Sequence, residues 1–301
     1  MNKRTRVEHA IKHLPVDQVP CAELIINDKL IQTVAGRAAV GFAERLAFVD
    51  ALGLDAICLQ PVCNSALPSV PVAGEVVFDD IHDWVNSDLF TFAVLDGPMG
   101  WSGKILGFEQ MLMQMARSTP AFCELVAAVE TLNIALIERL AASGINGILL
   151  ADDIAYNQGV IARPALLRKL IFPSLTAQVE SAHKLGLPVF FHSDGNLTMM
   201  LEDVVDAGFD GLQCIEKLAG MNIGEVKRQY GARLCLWGNL DPAELIEPRS
   251  VSQLEQTVTQ IVKAAGGNSG LIFGTSSGLF ENMRLENVKA VYEIAKRQTV
   301  C

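Results

Sequence analysis

The sequence contains no run of lysine and arginine long enough to line a basic cleft. Acids outnumber bases, 34 Asp and Glu against 24 Lys and Arg, for a net charge of −10. Such a chain repels phosphate backbones and anionic lipid, so non-specific nucleic-acid binding and membrane-surface binding are excluded as expectations. Nor is there a stretch approaching the roughly 18 uncharged apolar residues that a spanning helix needs. The longest candidate, 141–151, is interrupted by Gly144, Asn146 and Gly147. No Cys-X-X-Cys pair occurs, and the seven cysteines are odd in number and scattered, with Cys58, Cys214 and Cys235 inside apolar runs. That usage fits reduced thiols rather than a disulfide framework. The basic start, 1–8, leads into an amphipathic segment instead of a signal-peptide core. A cytoplasmic protein is the expectation.

What the chain does have is apolar material in a regular rhythm. Half of its 301 residues are hydrophobic, ample for a large core. Short, nearly continuous apolar runs fall at 21–25, 55–59, 91–95, 147–151, 188–191, 211–215, 233–237 and 271–273. Continuous rather than alternating runs are the mark of parallel strands covered on both faces. Longer segments with three-four spacing lie between them, at 42–52, 120–143, 164–185, 197–207, 250–265 and 285–296. Several open at proline or serine and close at glycine, the usual asymmetry of helix ends. Pro173 should kink the third of these.

About eight strand–helix units in a chain of this length predict a single α/β domain over 1–301, a (β/α)8 TIM-type barrel; a doubly wound open sheet is the alternative, because periodicity does not report closure. Two connections, 61–77 and 97–107, are long and rich in Gly and Pro, as lids and binding loops often are. No internal repeat marks a second architecture.

A barrel of this kind carries its chemistry on the loops that follow the strands, and polar groups gather there. Glu23 sits inside the first run. Asp96 ends the third, Asp152 and Asp153 the fourth, and His192-Ser193-Asp194-Gly195-Asn196 the fifth. Glu216 ends the sixth, Gly238-Asn239-Leu240-Asp241 the seventh, and Gly274-Thr275-Ser276-Ser277-Gly278 the eighth.

Plain structural roles compete with function at each position. Asp152 suits a helix cap, Asp194 to Asn196 a turn, Asp241 a cap before Pro242, His192 a satisfied core imidazole, and Cys214 and Cys235 strand packing. A carboxylate inside an apolar strand, as at Glu23, calls for function or a buried partner. His192, Asp194 and Glu216 together have the chemistry of a zinc or other divalent metal site. Asp152, Asp153 and Glu23 are the candidate acid/base groups, and Asn196, Asn239, Asp96 and Ser276 the candidate substrate contacts.

These same residues carry a family likeness. Arg6-Val7-Glu8-His9-Ala10-Ile11 with Val19-Pro20, Asp152-Asp153 through Gly159, Arg163-Pro164, Phe172-Pro173, the His192–Asn196 run, Ala207-Gly208-Phe209-Asp210, Gly238–Asp241 and Phe273-Gly274-Thr275 resemble the uroporphyrinogen decarboxylase superfamily, in order and over nearly the whole chain. The resemblance implies a distorted (β/α)8 barrel. True uroporphyrinogen decarboxylases carry an Arg-Gln-Ala-Gly-Arg stretch after the Val-Pro to hold the porphyrinogen carboxylates; here Cys21 to Asp28 contains no arginine.

The other enzymatic branch moves methyl groups to or from a corrinoid protein, and its zinc-dependent members show His-X-Cys where this chain has His192-Ser193-Asp194, with a further Cys near the last strand. The histidine carries over and the two cysteines do not. The resemblance therefore implies a methyltransferase working between a small methylated substrate, O-methyl or methoxylated, and a corrinoid on a partner protein, with a harder metal site. Decarboxylation of a less charged acid and a non-catalytic tetrapyrrole-binding barrel are the alternatives. The acidic surface and the 61–77 loop are where a corrinoid partner is expected to dock.

Overall fold

Eight strands hydrogen-bond in chain order through one sheet: β1 (Ala22–Glu23), β2 (Ala56–Leu59), β3 (Phe90–Asp96), β4 (Gly147–Ala151), β5 (Val189–His192), β6 (Gly211–Gln213), β7 (Cys235–Leu240) and β8 (Leu271–Thr275). The ladders are parallel, with Ala22 opposite Ala56, Asp96 opposite Ala151, Ala151 opposite His192 and Leu236 opposite Leu271. The last strand returns to the first: Cys21 bridges Phe273 in parallel, and the Phe273 N–H donates to the Pro20 carbonyl at 2.8 Å. This is the distorted (β/α)8 barrel that the alternation of apolar runs predicts, and the closing bridge removes the open-sheet alternative. The fold is a computed structural model that describes residues 1–63, 69–267 and 269–298.

Contacts group the chain into two compact units. One comprises Met1–Cys58, His82–Thr91 and Gly211–Cys301. Within it, Trp237 donates its indole N–H to the Ala22 carbonyl at 3.1 Å, so β7 is pinned to β1 by a buried ring. The helix Val251–Ala264 begins at a capping box in which Ser250 and Gln253 satisfy each other's main-chain N–H groups, and it packs on the helix Leu285–Arg297.

The other unit comprises Leu59–Ile81 and Phe92–Asp210. Its longest helix, Pro120–Ser143, starts from a Thr119 cap with Pro120 at the first position and stops at the left-handed Gly144. By length and composition alone this helix is apolar enough to cross a membrane. Its buried side chains, among them Phe122, Val126, Val129, Leu136 and Leu140, instead form one three-four stripe, and it packs on the helix Phe172–Lys184.

Several local expectations change. The 97–107 connection is not a loop: it holds the helix Pro98–Leu106, which Gly107 (φ +77°) separates from the helix Phe108–Arg117. The 164–185 segment breaks outright at Ile171 into Pro164–Leu170 and Phe172–Lys184, because Pro173 suits the first turn of a new helix better than the interior of an old one. The helix expected over 197–207 shortens to Leu201–Asp206, since Asn196 Oδ1 accepts the Thr198 N–H and holds a turn there.

The sixth strand ends early because Cys214 (φ +93°) and Ile215 (φ +54°) take left-handed backbone, whereas β7 continues through Asn239. In the 61–77 connection Pro61–Cys63 pairs antiparallel with Val76–Phe78; residues 64–68 of the expected docking loop lie outside the described residues.

Candidate functional site

The ends of β4 and β5 bring three donors together. His192, the last residue of β5, is 7% exposed, and its Nε2 stands 3.7 Å from Asp153 Oδ1 and 3.9 Å from Asp194 Oδ1. All three donor atoms lie within 4.8 Å of one another. Two ligands bound at about 2.05 Å to one tetrahedral zinc are roughly 3.4 Å apart, so the His192 spacings to Asp153 and to Asp194 each lie within a few tenths of an ångström of what a shared ion needs. The set is one imidazole and two carboxylates, suited to zinc or a harder divalent metal.

The carboxylates are solvent-facing while the imidazole is not, and the main chain holds them in place. Asp153 Oδ1 accepts the Asp194 N–H at 2.9 Å. Ser193, buried between the two candidate ligands, accepts the Ile154 N–H at 3.1 Å and donates to the Asp194 carbonyl at 2.9 Å. The turn then packs on the small hairpin of Ala155–Tyr156 and Gly159–Val160: a Cβ at Gly195 (φ +89°) would lie 2.5 Å from the Tyr156 nitrogen. Only glycine fits there.

Asp152 is fully buried and looks the other way in its bonding. Its N–H donates to the His192 carbonyl at 2.9 Å, and its Oδ1 accepts the Gly100 N–H at 2.8 Å in the first turn of Pro98–Leu106. Burial pushes its pKa up to about 8, reinforced by the neighbouring Asp153 and Asp96 carboxylates and opposed by the Gly100 and Met99 main-chain N–H groups. Among the described residues Oδ2 has no hydrogen-bond partner. The carboxyl also explains Gly97, where a Cβ would stand 2.3 Å from Asp152 Cγ.

Of the expected substrate contacts in this unit, Asp96 is ion-paired to Lys104 at 2.5 Å, and its carbonyl accepts from the buried Asn133, which also donates to Gln178. Asn196 uses its side-chain oxygen to cap the turn at Thr198.

The remaining candidates belong to the other unit. Glu23 is 1% exposed and fully engaged: Oε1 accepts the Thr275 N–H at 2.7 Å and the Tyr292 hydroxyl at 2.5 Å, and Oε2 accepts the Thr275 hydroxyl at 2.6 Å. Burial raises its pKa to about 7 against those hydrogen bonds. The three partners account for a carboxyl inside a strand: Glu23 clasps β1 to β8 and to the helix Leu285–Arg297. Glu216 precedes the turn Lys217–Ala219, and its carbonyl accepts from Ala219 and Met221. Ser276 is buried, with its N–H on the Leu240 carbonyl. Asn239 is buried, donates Nδ2 to the Ile215 carbonyl at 2.9 Å, and lines a cavity of about 270 Å³ within this unit.

Sequence reasoning passed over Ser193, Lys104 and the Gly97–Gly100 main chain. Ser193 could have been found: a small polar residue between two candidate ligands has its own backbone to brace. Lys104 could not, because its distance from Asp96 depends on a helix that the sequence disguises as a loop.

A parallel barrel with its polar and titratable groups gathered beyond the strands is the architecture of a (β/α)8 enzyme. The family model described as Uroporphyrinogen decarboxylase (URO-D) matches residues 79–298. The chain belongs to this family. It is 28% identical over 298 residues to a uroporphyrinogen decarboxylase of Coxiella burnetii, covering 87% of this chain and 78% of that protein. To the uroporphyrinogen decarboxylase of Thermus thermophilus it is 34% identical over 135 residues, covering 44% and 36%. Among solved structures, a methyltransferase from Methanosarcina mazei superposes with a TM-score of 0.77 at 17% identity, covering 98% of each chain. A B12-independent methionine synthase from Shewanella sp. W3-18-1 superposes with a TM-score of 0.60 at 10% identity, covering 92% and 96%. At such identities these two share the fold.

Proposed function

We propose that the protein is a methyltransferase that takes a methyl group from a small O-methyl substrate and passes it to a corrinoid held by a partner protein, with a divalent metal at Asp153, His192 and Asp194. The observation that carries this reading is the convergence of one imidazole nitrogen and two carboxylate oxygens at the ends of β4 and β5. When bound, the metal supplies Lewis-acid polarisation of the substrate oxygen that the methyl group leaves.

The chain's own residues orient that site. Burial fixes the His192 ring, the Asp194 N–H fixes Asp153 Oδ1, and Ser193 braces the strand between them. Asp152 is a positioning residue here: it ties the end of β4 to the first turn of Pro98–Leu106 and so sets where Asp153 begins. The absence of arginine from Cys21 to Asp28 disfavours a substrate with many carboxylates.

Metal analysis of the purified protein and of His192→Ala tests the proposal, followed by demethylation of methoxylated aromatics with reduced cobalamin as acceptor. About one divalent metal per chain, lost in the variant together with activity, supports it. Full methyl transfer by metal-free protein defeats it. A carboxy-lyase acting on a small acid is the second reading, favoured by the curated relatives' shared name; carbon dioxide release without any corrinoid distinguishes it.

A further inference from the structure

The cavity of about 270 Å³ beside Asn239 lies wholly within the unit that contains β6 and β7. Its charges are arranged unequally. The Lys217 ammonium, in the turn after β6, makes no hydrogen bond or ion pair with any described residue, and so pairs with neither acid of the cavity lining. Those acids follow β7. Asp241 spends Oδ1 on the Ala243 N–H at 2.9 Å, and Glu244 meets Arg249 through Oε2 at 3.1 Å. Asn239 commits one Nδ2 hydrogen to the Ile215 carbonyl, and its Oδ1 is an acceptor on the same side as these acids.

One side of the cavity therefore presents carbonyl and carboxylate oxygens, and elsewhere a free ammonium stands unneutralised. Met221, Ile223 and Ile261 supply aliphatic wall between. Among the described residues no aromatic side chain lines the cavity, so it offers no stacking platform for a heteroaromatic ring or a sugar. Its volume is just under the roughly 300 Å³ at which sites for drug-sized ligands begin, which favours a small ligand.

We infer that this cavity binds a small zwitterion, an aliphatic amino acid or betaine, with the ligand's carboxylate at Lys217 and its ammonium among Asn239, Asp241 and Glu244. Opposite charges held apart in one cavity gain most from a ligand that carries both complements, and a ligand with only one leaves the other wall unmatched. The inference does not rest on the methyltransferase reading, since none of these residues is among the proposed metal ligands.

Isothermal titration of the full-length protein with glycine betaine and l-valine tests it, against isobutyrate and isobutylamine as ligands lacking one charge. At least one zwitterion is expected to bind with a Kd of about 1 mM or tighter, and each singly charged control about tenfold more weakly. Lys217→Ala, at an exposed position, should weaken zwitterion binding about tenfold while leaving the unfolding midpoint and the metal content unchanged. Ile261→Trp, which fills the cavity, should abolish binding. No saturable heat with either zwitterion up to about 50 mM, equal binding of the controls, or binding indifferent to Lys217→Ala overturns the inference.

Discussion

The Tyr292 hydroxyl donates to Glu23 Oε1 at 2.5 Å, joining the last helix to the first strand of the barrel across almost the whole length of the chain. Thr275 completes the clasp from β8 with its N–H and its hydroxyl. No cation is among these partners. The carboxyl sits in an environment of neutral donors, where its charge is tolerated only through hydrogen bonds.

Stability should therefore fall as Glu23 ionises. Its folded pKa, raised to about 7 by burial, exceeds the ordinary value of 4.5. Its contribution is fully present below the unfolded pKa and is lost as the pH rises through the folded one, a change of about 3 kcal/mol. Glu23→Gln keeps an acceptor for Thr275 and Tyr292 and removes the titration. Urea unfolding of both proteins at about pH 5 and about pH 8.5 should show a flatter pH dependence in the variant. An unchanged dependence would show that another group sets it.

Gly97 and Asp152 should be coupled. Gly97 has φ −80°, which alanine adopts freely, so the expected loss of about 1–3 kcal/mol in Gly97→Ala comes from the overlap with the Asp152 carboxyl alone. Truncating the carboxyl in Asp152→Ala opens that space, and a double-mutant cycle by chemical denaturation should give a coupling on the order of 1 kcal/mol. Strict additivity would mean that the helix start moves aside.

Ser193→Ala removes the acceptor of the Ile154 N–H and the donor to the Asp194 carbonyl. A buried main-chain donor left without a partner costs about 1–3 kcal/mol, and the unfolding midpoint should fall accordingly. Metal affinity should fall with it, because the brace between the two ligand-bearing residues is gone. Competition with a chromophoric chelator measures this.

Asp153→Asn and Asp194→Asn each remove a charged oxygen from the proposed metal site without emptying it. Each should weaken divalent metal binding about ten- to a hundredfold, less than His192→Ala, which takes away the lone nitrogen donor. Equal retention of metal in all three variants would place the ion elsewhere.

The strands were legible because a parallel strand buried on both faces must be apolar throughout, and no other element of five or so residues needs that. Glu23 stood out for the same reason, and its partner is a buried cluster of donors. The Pro98–Leu106 helix was hidden by its composition: Gly97, Pro98, Gly100, Gly103 and Gly107 look like a loop. Tertiary contact explains the glycines at the start, since the Asp152 carboxyl occupies the space where a Cβ at 97 would go and accepts the N–H of residue 100. Periodicity also carried the sixth run past Gln213, because nothing in Cys214-Ile215 announces left-handed backbone. In the site, adjacency in sequence made His192 and Asp194 obvious. Asp153 joins them only through the pairing of β4 with β5, a relation that spans about forty residues and has no sequence signature of its own.

The close fit of Gly195 against Tyr156 has a consequence for inheritance. Every donor of the proposed metal site, its serine brace and the hairpin on which the turn rests fall between positions 152 and 196, in one uninterrupted run of chain. Drift within that run can retune the proposed ion site while the rest of the barrel stays as it is.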